Sequence, residues 1–315
     1  MHLETKSNLK DQVVFSIHPA THIGQVTLNV ADLDQQLDFY QHSLGFHLHW
    51  QTNDRAGLGN GQDDFLQLIH VPGAKRYRRV TGLYHFAILY PSRRELARAV
   101  ARLFDLNIQN HPTDHIMTKS TYLQDPEGNG IELYTESPED GVFVYENGGF
   151  GARRADGRLS DGREALDLQA LFSHLPREDH PEPPISAQVS MGHIHLHVCD
   201  LQDALDFYHG LLGFDIMGRA NPFQVAFVSA GGYHHHIGLN TWQGVGIPQP
   251  PVNAQGLRHF SIILPNQVAM DAVLERVHRA GLSVETMEGG QLVLDPCRNG
   301  VLLKIQDSAQ THQTV

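Results

Sequence analysis

The sequence predicts an α+β fold in which four βαβββ units form two cup-shaped curved sheets, with helices on the convex sides. Two repeats predict it. VTLNVADLDQQLDFYQHSLGF, from Val26, parallels IHLHVCDLQDALDFYHGLLGF, from Ile194. Each half then contains a second copy of the same plan, beginning GLYHFAIL and GLRHFSII. Self-similarity at this scale indicates one supersecondary unit used several times.

Each unit is expected to begin with a strand that leads into an amphipathic helix. In HIHLHV, Ile194, Leu196 and Val198 alternate with histidines, and this period of two places aliphatic and imidazole side chains on opposite sheet faces. In ELARAVARLF the apolar residues recur at helical spacing. The four units are predicted over residues of about 20–75, 80–137, 188–245 and 255–308.

The chain is expected to divide into an N-terminal pair of units at 1–137, a linker at 138–187 and a C-terminal pair at 188–315. The linker is rich in glycine, proline, aspartate and arginine, and a short helix is predicted inside it, over 164–175. A connection of this length, at ~3.3 Å per residue, can cross the whole molecule. It therefore leaves open which units share a cup.

Composition and charge exclude some classes of function. The chain has 315 residues, of which 41% are hydrophobic, so one large or two medium domains with real cores are expected. Its net charge is −12, from 23 basic and 35 acidic residues, and it has no basic stripe. No nucleic-acid partner is therefore expected.

The apolar and cysteine patterns favour a cytoplasmic protein. No apolar run approaches the ~20 residues that span a bilayer, and the N-terminus has no apolar core of signal-peptide length. Cys199 and Cys297 are the two cysteines, too few for a disulfide framework or a thiolate metal site. This usage indicates a reducing compartment, with no membrane association.

The strongest indication of a catalytic site comes from a few of the 22 histidines of the chain, together with one carboxylate. His85, Tyr122 and Glu132 lie within a single predicted unit, and a second group of imidazoles follows in MGHIHLHVCDL and GGYHHHIGLN. Two histidines and one carboxylate on separate rigid strands form the ligand set of non-haem Fe(II) oxygenases, with the opposite face open for substrate and O₂.

These motifs resemble a known family. The pattern H-x-x-x-x-V-x-D-L…A-x-D-FY…LGF and the closing DPEGNGIEL are similar to the vicinal oxygen chelate superfamily. That superfamily includes glyoxalase I, bleomycin-resistance proteins and type I extradiol ring-cleaving dioxygenases. GLYHFAIL, MGHIHLHV and GGYHHHIGLN look most similar to the bacillar catechol-2,3-dioxygenase group.

The resemblance implies where metal ligands lie in each unit. It places the first ligand seven residues before the Asp of the V-x-D-L turn, and others on the first and last strands of the remaining units. In units one and three the first-ligand position is held by Gln25 and His193. In units two and four the first strand carries His85 and His259, and the last strand carries Glu132 and Leu302.

Three pairings of units remain open at this point. Units one and two together offer Gln25, His85 and Glu132, with Gln67 as an additional candidate, and this set is similar to a glyoxalase or epimerase site. Units three and four offer His193, His259 and the histidines at 234–236, with no carboxylate. Units two and three offer His85, His193 and Glu132, which match the extradiol ligand triad.

Catalytic residues favour the last pairing. The resemblance implies a Tyr ten residues before the carboxylate ligand, and Tyr122 stands there. It also implies an acid–base His in an H-H-x-aliphatic context, which His235 or His236 satisfies. A further His is implied upstream of the Tyr, but Thr113 holds that position and His115 is two residues away.

The function implied is Fe²⁺-dependent extradiol cleavage of a small aromatic diol with O₂. Mn²⁺, Zn²⁺ and Ni²⁺ are the alternative metals, because imidazole and carboxylate ligands suit them as well. Two other readings stay open: a metal-dependent glyoxalase-like or epimerase-like enzyme of the same superfamily, and a non-enzymatic small-molecule binding protein. The oligomeric state also stays open, a homo-oligomer included.

Overall fold

The structure is a computed structural model that describes residues 15–146, 149–179, 184–287 and 289–306. Residues 1–14, on which the expectation about a signal peptide rests, lie outside the described residues. Within the described ranges, no helix is both long and apolar enough to cross a membrane.

The first two units each contain a strand, a helix and three further strands. Their elements are β1 His22–Val30, α1 Leu33–Asp38, β2 His47–Gln51, β3 Arg55–Gly59 and β4 Asp64–His70, then β5 Gly82–Leu89, α2 Arg93–Asp105, β6 His111–Asp114, β7 Thr118–Gln124 and β8 Gly130–Glu136. The segment that follows adds β9 Gly141–Glu146, β10 Gly149–Arg154, β11 Leu159–Ser160, β12 Glu164–Ala165 and α3 Leu168–Phe172.

The last two units repeat the plan. Their elements are β13 Ser190–His197, α4 Leu201–Leu205, β14 Asp215–Ala220, β15 Val225–Ser229 and β16 Ile237–Asn240, then β17 Gly256–Leu264, α5 Gln267–Arg279, β18 Glu285–Met287, β19 Gly290–Leu294 and β20 Gly300–Ile305. In both halves the short first helix runs on into a wider π-helical turn, at Phe39–Ser43 and Asp206–Leu211.

The units join through their first strands into two large curved sheets. One has eight strands in the order β18-β19-β20-β17-β1-β4-β3-β2, and the other has nine in the order β12-β6-β7-β8-β5-β13-β16-β15-β14. Unit one thus pairs with unit four through antiparallel β1 and β17, and unit two with unit three through antiparallel β5 and β13. The predicted fold class is confirmed.

Helices cover the convex faces, where the aliphatic side chains gather. Leu96, Val100 and Leu103 of α2 are buried, as are Val273 and Val277 of α5. A single cluster of buried apolar residues draws on all four units. Burying this surface supplies the main driving force for folding, at roughly 25 cal/mol per Å² of apolar area.

The D of each V-x-D-L motif has a local structural role. Asp32 accepts a hydrogen bond from the Gln35 N–H at the start of α1, and Asp200 accepts from the Gln202 and Asp203 N–H groups at the start of α4. Each carboxylate thus satisfies helix N–H groups that would otherwise lack partners. The motif repeats because the same strand-to-helix turn is built twice.

A buried tyrosine joins the two units within each half of the chain. The Tyr40 hydroxyl donates to Asp125 Oδ2 at 2.9 Å, and the Tyr208 hydroxyl donates to Asp295 Oδ2 at 3.0 Å. Both carboxylates belong to the D-P-x-x-N turns between the last two strands of units two and four. The four units are therefore linked in a ring, alternately by sheet pairing and by these bonds.

The segment predicted as a linker has more regular structure than the sequence suggested. β9, β10 and β11 form a separate antiparallel sheet, and β12 adds to the edge of the nine-stranded sheet beside β6. The predicted helix over 164–175 is shorter, because residues 164–165 pair with β6 and Asp167 then caps the helix by accepting from the Ala170 N–H.

Removal of either tyrosine hydroxyl should lower the stability of the folded protein. We expect Tyr40→Phe and Tyr208→Phe each to lower the free energy of unfolding by about 1–3 kcal/mol, because a buried carboxylate loses a hydrogen-bond donor. Urea denaturation measures this, with Tyr77→Phe, at an exposed tyrosine, as the control. If both single variants were as stable as the wild type, that result would contradict the role of these hydrogen bonds.

Candidate metal centre

Three neighbouring strands place the predicted donors on one concave face. In the register of the nine-stranded sheet, Ala87 of β5 lies opposite Glu132 of β8 on one side and His193 of β13 on the other. His85 lies two residues before Ala87, on the same face. The pairing of β5 with β13 therefore brings His85, Glu132 and His193 together around the small side chain of Ala87.

The carboxylate of Glu132 lies between the two imidazoles. Its Oε2 is 3.0 Å from His193 Nε2 and 3.3 Å from His85 Nε2. One donor atom from each of the three residues lies within 4.8 Å of the other two, and all three residues are buried. Two imidazoles and one carboxylate that converge in this way suit a divalent transition metal with open positions.

The protonation states also suit a metal. Burial opposes ionisation of Glu132, but His193 and His85 beside it hold the pKa of the carboxyl well below its usual range. Burial lowers the pKa of His193 to about 4, so the imidazole is neutral at pH 7 and offers a lone pair. Metal ligands need these forms, an ionised carboxylate and neutral imidazoles.

Unpaired buried nitrogens mark the same place. His85 Nε2, His193 Nδ1 and His195 Nε2 are buried and have no hydrogen-bond partner among the described residues. A buried polar group without a partner costs about 1–3 kcal/mol. A bound cation would engage the first of these nitrogens, and the buried Glu132 carboxylate would gain a full positive counter-charge. The residues present therefore fit a resident metal.

A cavity of about 690 Å³ opens above the three donors. Its walls are largely aromatic, and further imidazole and hydroxyl groups project into it. The aromatic lining consists of Tyr84, Tyr122, Phe143, Tyr145, Phe223, Phe227 and Trp242. This volume and lining are typical of a site for a small ring-containing molecule.

The three consecutive histidines point in different directions. The His235 ring lies against His193, with 4.2 Å between ring centroids, and lines the cavity. The His236 ring turns away, and its Nδ1 contacts Ser229 Oγ at 2.8 Å and accepts from the Ala230 N–H. Of the two acid–base candidates, the structure thus places only His235 at the cavity.

His234 faces a different partner. Its Nδ1 is 3.2 Å from Glu136 Oε1, at the edge of the cavity. Donor atoms of His193, His234 and His235 also lie within 4.8 Å of one another, a second potential metal cluster that shares His193 with the first. It contains no carboxylate, so it offers no negative charge to balance a divalent ion.

Tyr122 lies directly across β7 and β8 from Glu132. Burial, and then the charge of Glu132, raise the pKa of its hydroxyl well above the usual value, so it stays protonated. His115 Nε2 is 2.9 Å from this hydroxyl, and His115 Nδ1 is 2.5 Å from the Gly162 carbonyl. Because a carbonyl only accepts, His115 donates to it from Nδ1, and His115 Nε2 lies at hydrogen-bonding distance from the Tyr122 hydroxyl.

The sequence pattern placed this second histidine at Thr113, and the structure instead brings His115 to Tyr122. The β6–β7 hairpin explains the shift. Ile116 adopts a left-handed conformation, with φ of 73°, at the turn between the two strands. That turn folds His115 back over β7, an arrangement that strand counting alone does not reveal.

The remaining candidates lie in the other sheet. Thr27 of β1 pairs with His259 on one side and with Gln67 on the other, and Gln25 precedes it on the same strand. Leu302 stands on β20, two strands from β1. This sheet therefore keeps one candidate imidazole, and neither the Gln25–His85–Glu132 set nor the His193–His259 set is assembled in one cup.

Comparison with known proteins agrees with the fold. Residues 22–133 and 190–299 match the model of the glyoxalase/bleomycin resistance protein/dioxygenase superfamily. The chain belongs to this superfamily. The resemblance implied by its motifs is thereby confirmed, and the two matched segments correspond to the two halves of the repeat.

A curated relative extends the likeness to nearly the whole chain. Catechol-2,3-dioxygenase of Bacillus subtilis (strain 168) is 41% identical over 284 residues, which cover 89% of this chain and 96% of the relative. Likeness of this extent identifies the chain as an enzyme of the extradiol dioxygenase type, an oxidoreductase, as the resemblance implied.

Solved structures show the same fold at low sequence identity. A Bacillus subtilis protein described as a dioxygenase has a TM-score of 0.62 and 13% identity, with 93% of this chain and 87% of that chain covered. Glyoxalase I of Zea mays has a TM-score of 0.53 and 15% identity, with 90% and 92% covered. At these identities the likeness concerns the fold alone.

The small residue between the donors should be essential for metal retention. We expect Ala87→Leu to remove most bound metal, because the added side chain would project into the space that Glu132, His193 and His85 share. Ala87→Ser, which keeps a small side chain, should retain it. Elemental analysis of the purified variants measures the effect, and an Ala87→Leu protein with full metal content would contradict the geometry.

Proposed function

We propose that this enzyme cleaves the aromatic ring of a catechol-type diol next to its two hydroxyl groups, with O₂ as co-substrate and Fe(II) as resident metal. The observation that carries the proposal is the buried Glu132 carboxylate, flanked by His85 and His193 at the floor of an aromatic cavity. The likeness to a catechol-2,3-dioxygenase over nearly the whole chain supports the substrate class.

The donor set determines what the protein contributes to metal binding. His85 Nε2, His193 Nε2 and a Glu132 oxygen would hold the ion from one side, and the cavity leaves its other side accessible. Fe(II) bound there would supply Lewis acidity and bring substrate and O₂ next to each other. One carboxylate leaves the site with a net positive charge, which suits an anionic diol.

His235 is placed to move a proton. Burial, and then the charges that neighbouring histidines would carry, lower the pKa of its ring well below the usual value. Because its pKa is lowered, the ring is neutral at pH 7 and can accept a proton from a substrate hydroxyl. Its place on the cavity wall, in contact with His193, puts it within reach of a bound diol.

Tyr122 is placed to orient the substrate. Its hydroxyl remains protonated at neutral pH and lies next to the donor cluster, where it can hydrogen-bond a substrate oxygen. His115 holds the hydroxyl from behind and is itself fixed by the Gly162 carbonyl. This carbonyl belongs to the segment between units two and three, which therefore contributes to the site from outside the repeat.

The aromatic walls account for binding of the ring itself. The Tyr84 ring makes edge contacts with His195 and with Trp242, at 5.1 Å between centroids in each case. Phe227 lies 4.9 Å from His235 and also lines the cavity. A planar ring that enters between them gains apolar and stacking contacts, and it displaces water from the reacting groups.

Glu132 should be required for both metal retention and activity. We expect Glu132→Gln to lose its iron and all O₂ uptake with catechol, because the substitution removes the anionic member of the three donors while keeping the shape. Glu136→Gln, on the same strand but bonded to Tyr233 and His234, is the matched control and should keep its iron. A Glu132→Gln protein with full iron and full O₂ uptake would refute the proposal.

The two adjacent histidines should differ in their effect on turnover. We expect His235→Ala to lower kcat by ~10²–10⁴-fold with iron content unchanged, the range typical of a lost general acid–base group. His236→Ala should lower kcat far less, because that ring contacts Ser229 outside the cavity. Steady-state O₂ uptake measures both, and equal losses in the two variants would count against the assignment.

A further inference from the structure

The two cysteines of the chain touch each other. Cys199 Sγ and Cys297 Sγ are 2.6 Å apart, although 98 positions separate them in the sequence. Both are free thiols, and the Cys199 N–H also donates to Cys297 Sγ at 2.9 Å. A disulfide bond measures about 2.0 Å, so only a small approach of the sulfurs would close one.

Rigid surroundings hold each cysteine in place. Cys297 stands in the D-P-x-x-N turn before β20, where its N–H donates to the buried Asp295 at 2.8 Å. Its carbonyl accepts from the Thr81 hydroxyl at 2.8 Å, just before β5. Cys199 lies two residues after the end of β13, and its carbonyl accepts from the Gly246 N–H at 2.7 Å. The contact of the two thiols therefore connects units three and four at a fixed place, which we call the joint between the two units.

The first half of the chain has a different group at the same joint. Repeat alignment places Ala31 where the second half has Cys199, and Glu127 where it has Cys297. There the Ala31 and Asp32 N–H groups donate to Glu127 Oε1 at 2.8 and 2.9 Å. One half thus closes its joint with a carboxylate, and the other closes it with two thiols.

We propose that Cys199 and Cys297 form a reversible redox site, which a two-electron oxidant of the hydroperoxide class converts into an intrachain disulfide. Neither thiol lies in the metal centre, so this site is separate from the proposed dioxygenase function. In a reducing compartment the pair stays as thiols until such an oxidant reaches it.

The reaction balances with hydrogen peroxide as oxidant. Cys199 sulfur attacks one peroxide oxygen, the O–O bond breaks, and the products are a sulfenic acid and water. Cys297 sulfur then attacks the Cys199 sulfur, and the leaving hydroxide takes up the thiol proton to form a second water. Overall, two thiols lose two hydrogens, one S–S bond forms, and one peroxide becomes two waters.

Exposure assigns the order of the two steps. Cys199 is partly exposed and can meet the oxidant, whereas Cys297 is buried. Burial, with the contact to Cys199, raises the pKa of the Cys297 thiol to about 12, so little of its reactive thiolate exists at neutral pH. Cys199 is therefore oxidised first, and Cys297, already in contact with it, resolves the sulfenic acid.

The consequence of oxidation is a covalent joint across units three and four. A bond that closes a long loop restricts the unfolded chain and stabilises the folded one. It also fixes the end of β13, the strand that carries His193, to the turn that holds the start of β5. We expect the oxidised protein to melt several degrees above the reduced protein.

The test treats the purified full-length protein with hydrogen peroxide, and in parallel with diamide, which oxidises thiols without peroxide. We expect alkylation under denaturing conditions to count no free thiols afterwards, and the intact mass to fall by about 2 Da through loss of two hydrogens. Dithiothreitol should restore both. A tryptic peptide that joins the two cysteine segments should appear before reduction and vanish after it.

Single variants distinguish the two roles. In Cys297→Ser, Cys199 should be labelled by dimedone as a sulfenic acid; in Cys199→Ser, Cys297 should remain alkylatable. The double variant Cys199→Ala/Cys297→Glu copies the carboxylate joint of the first half, and its melting temperature should not respond to the oxidant.

Persistence of two free thiols in the wild type, under conditions that label Cys199 in Cys297→Ser, would overturn the proposal. So would crosslinking between two chains in place of the intrachain bond. Neither result depends on metal content or on ring-cleaving activity.

Discussion

The buried carboxylate of Glu132 is the constraint on which the site depends. A carboxylate removed from water is costly unless positive charge or hydrogen bonds compensate it. Here two imidazoles approach the same carboxylate oxygen and hold the pKa of the carboxyl well below its usual range. The surrounding strands keep all three groups in contact. A cation bound there would supply the missing positive charge, and the proposed ring cleavage would take place in the aromatic cavity above it.

The pairing of units is what creates that environment. Antiparallel pairing of β5 with β13 places His85 and His193 on the same face of one sheet. The other central pair, β1 with β17, instead places Thr27 opposite His259. The two sheets share one architecture but differ in donors. At the strand position where the nine-stranded sheet has Glu132, the eight-stranded sheet has Leu302.

Much of this was accessible from the sequence, because periodicity is strict within regular strands. The alternation along β13 correctly separates Ile194 from His193, and the repeat correctly predicts the four units. Prediction fails where the chain leaves the strands. His235 and His236 precede β16 in a loop, so alternation does not tell which one faces the cavity. His115 reaches Tyr122 through a left-handed turn, and the extra sheet β9–β11 falls outside the repeat.

The central claim is that one divalent ion lies between units two and three. Anomalous diffraction at the iron absorption edge, from crystals of the anaerobically iron-loaded chain, tests it most directly. We predict a single strong peak within bonding distance of His85 Nε2, His193 Nε2 and a Glu132 oxygen. A peak among His193, His234 and His235 instead, or no ordered peak in iron-loaded crystals, would contradict the account.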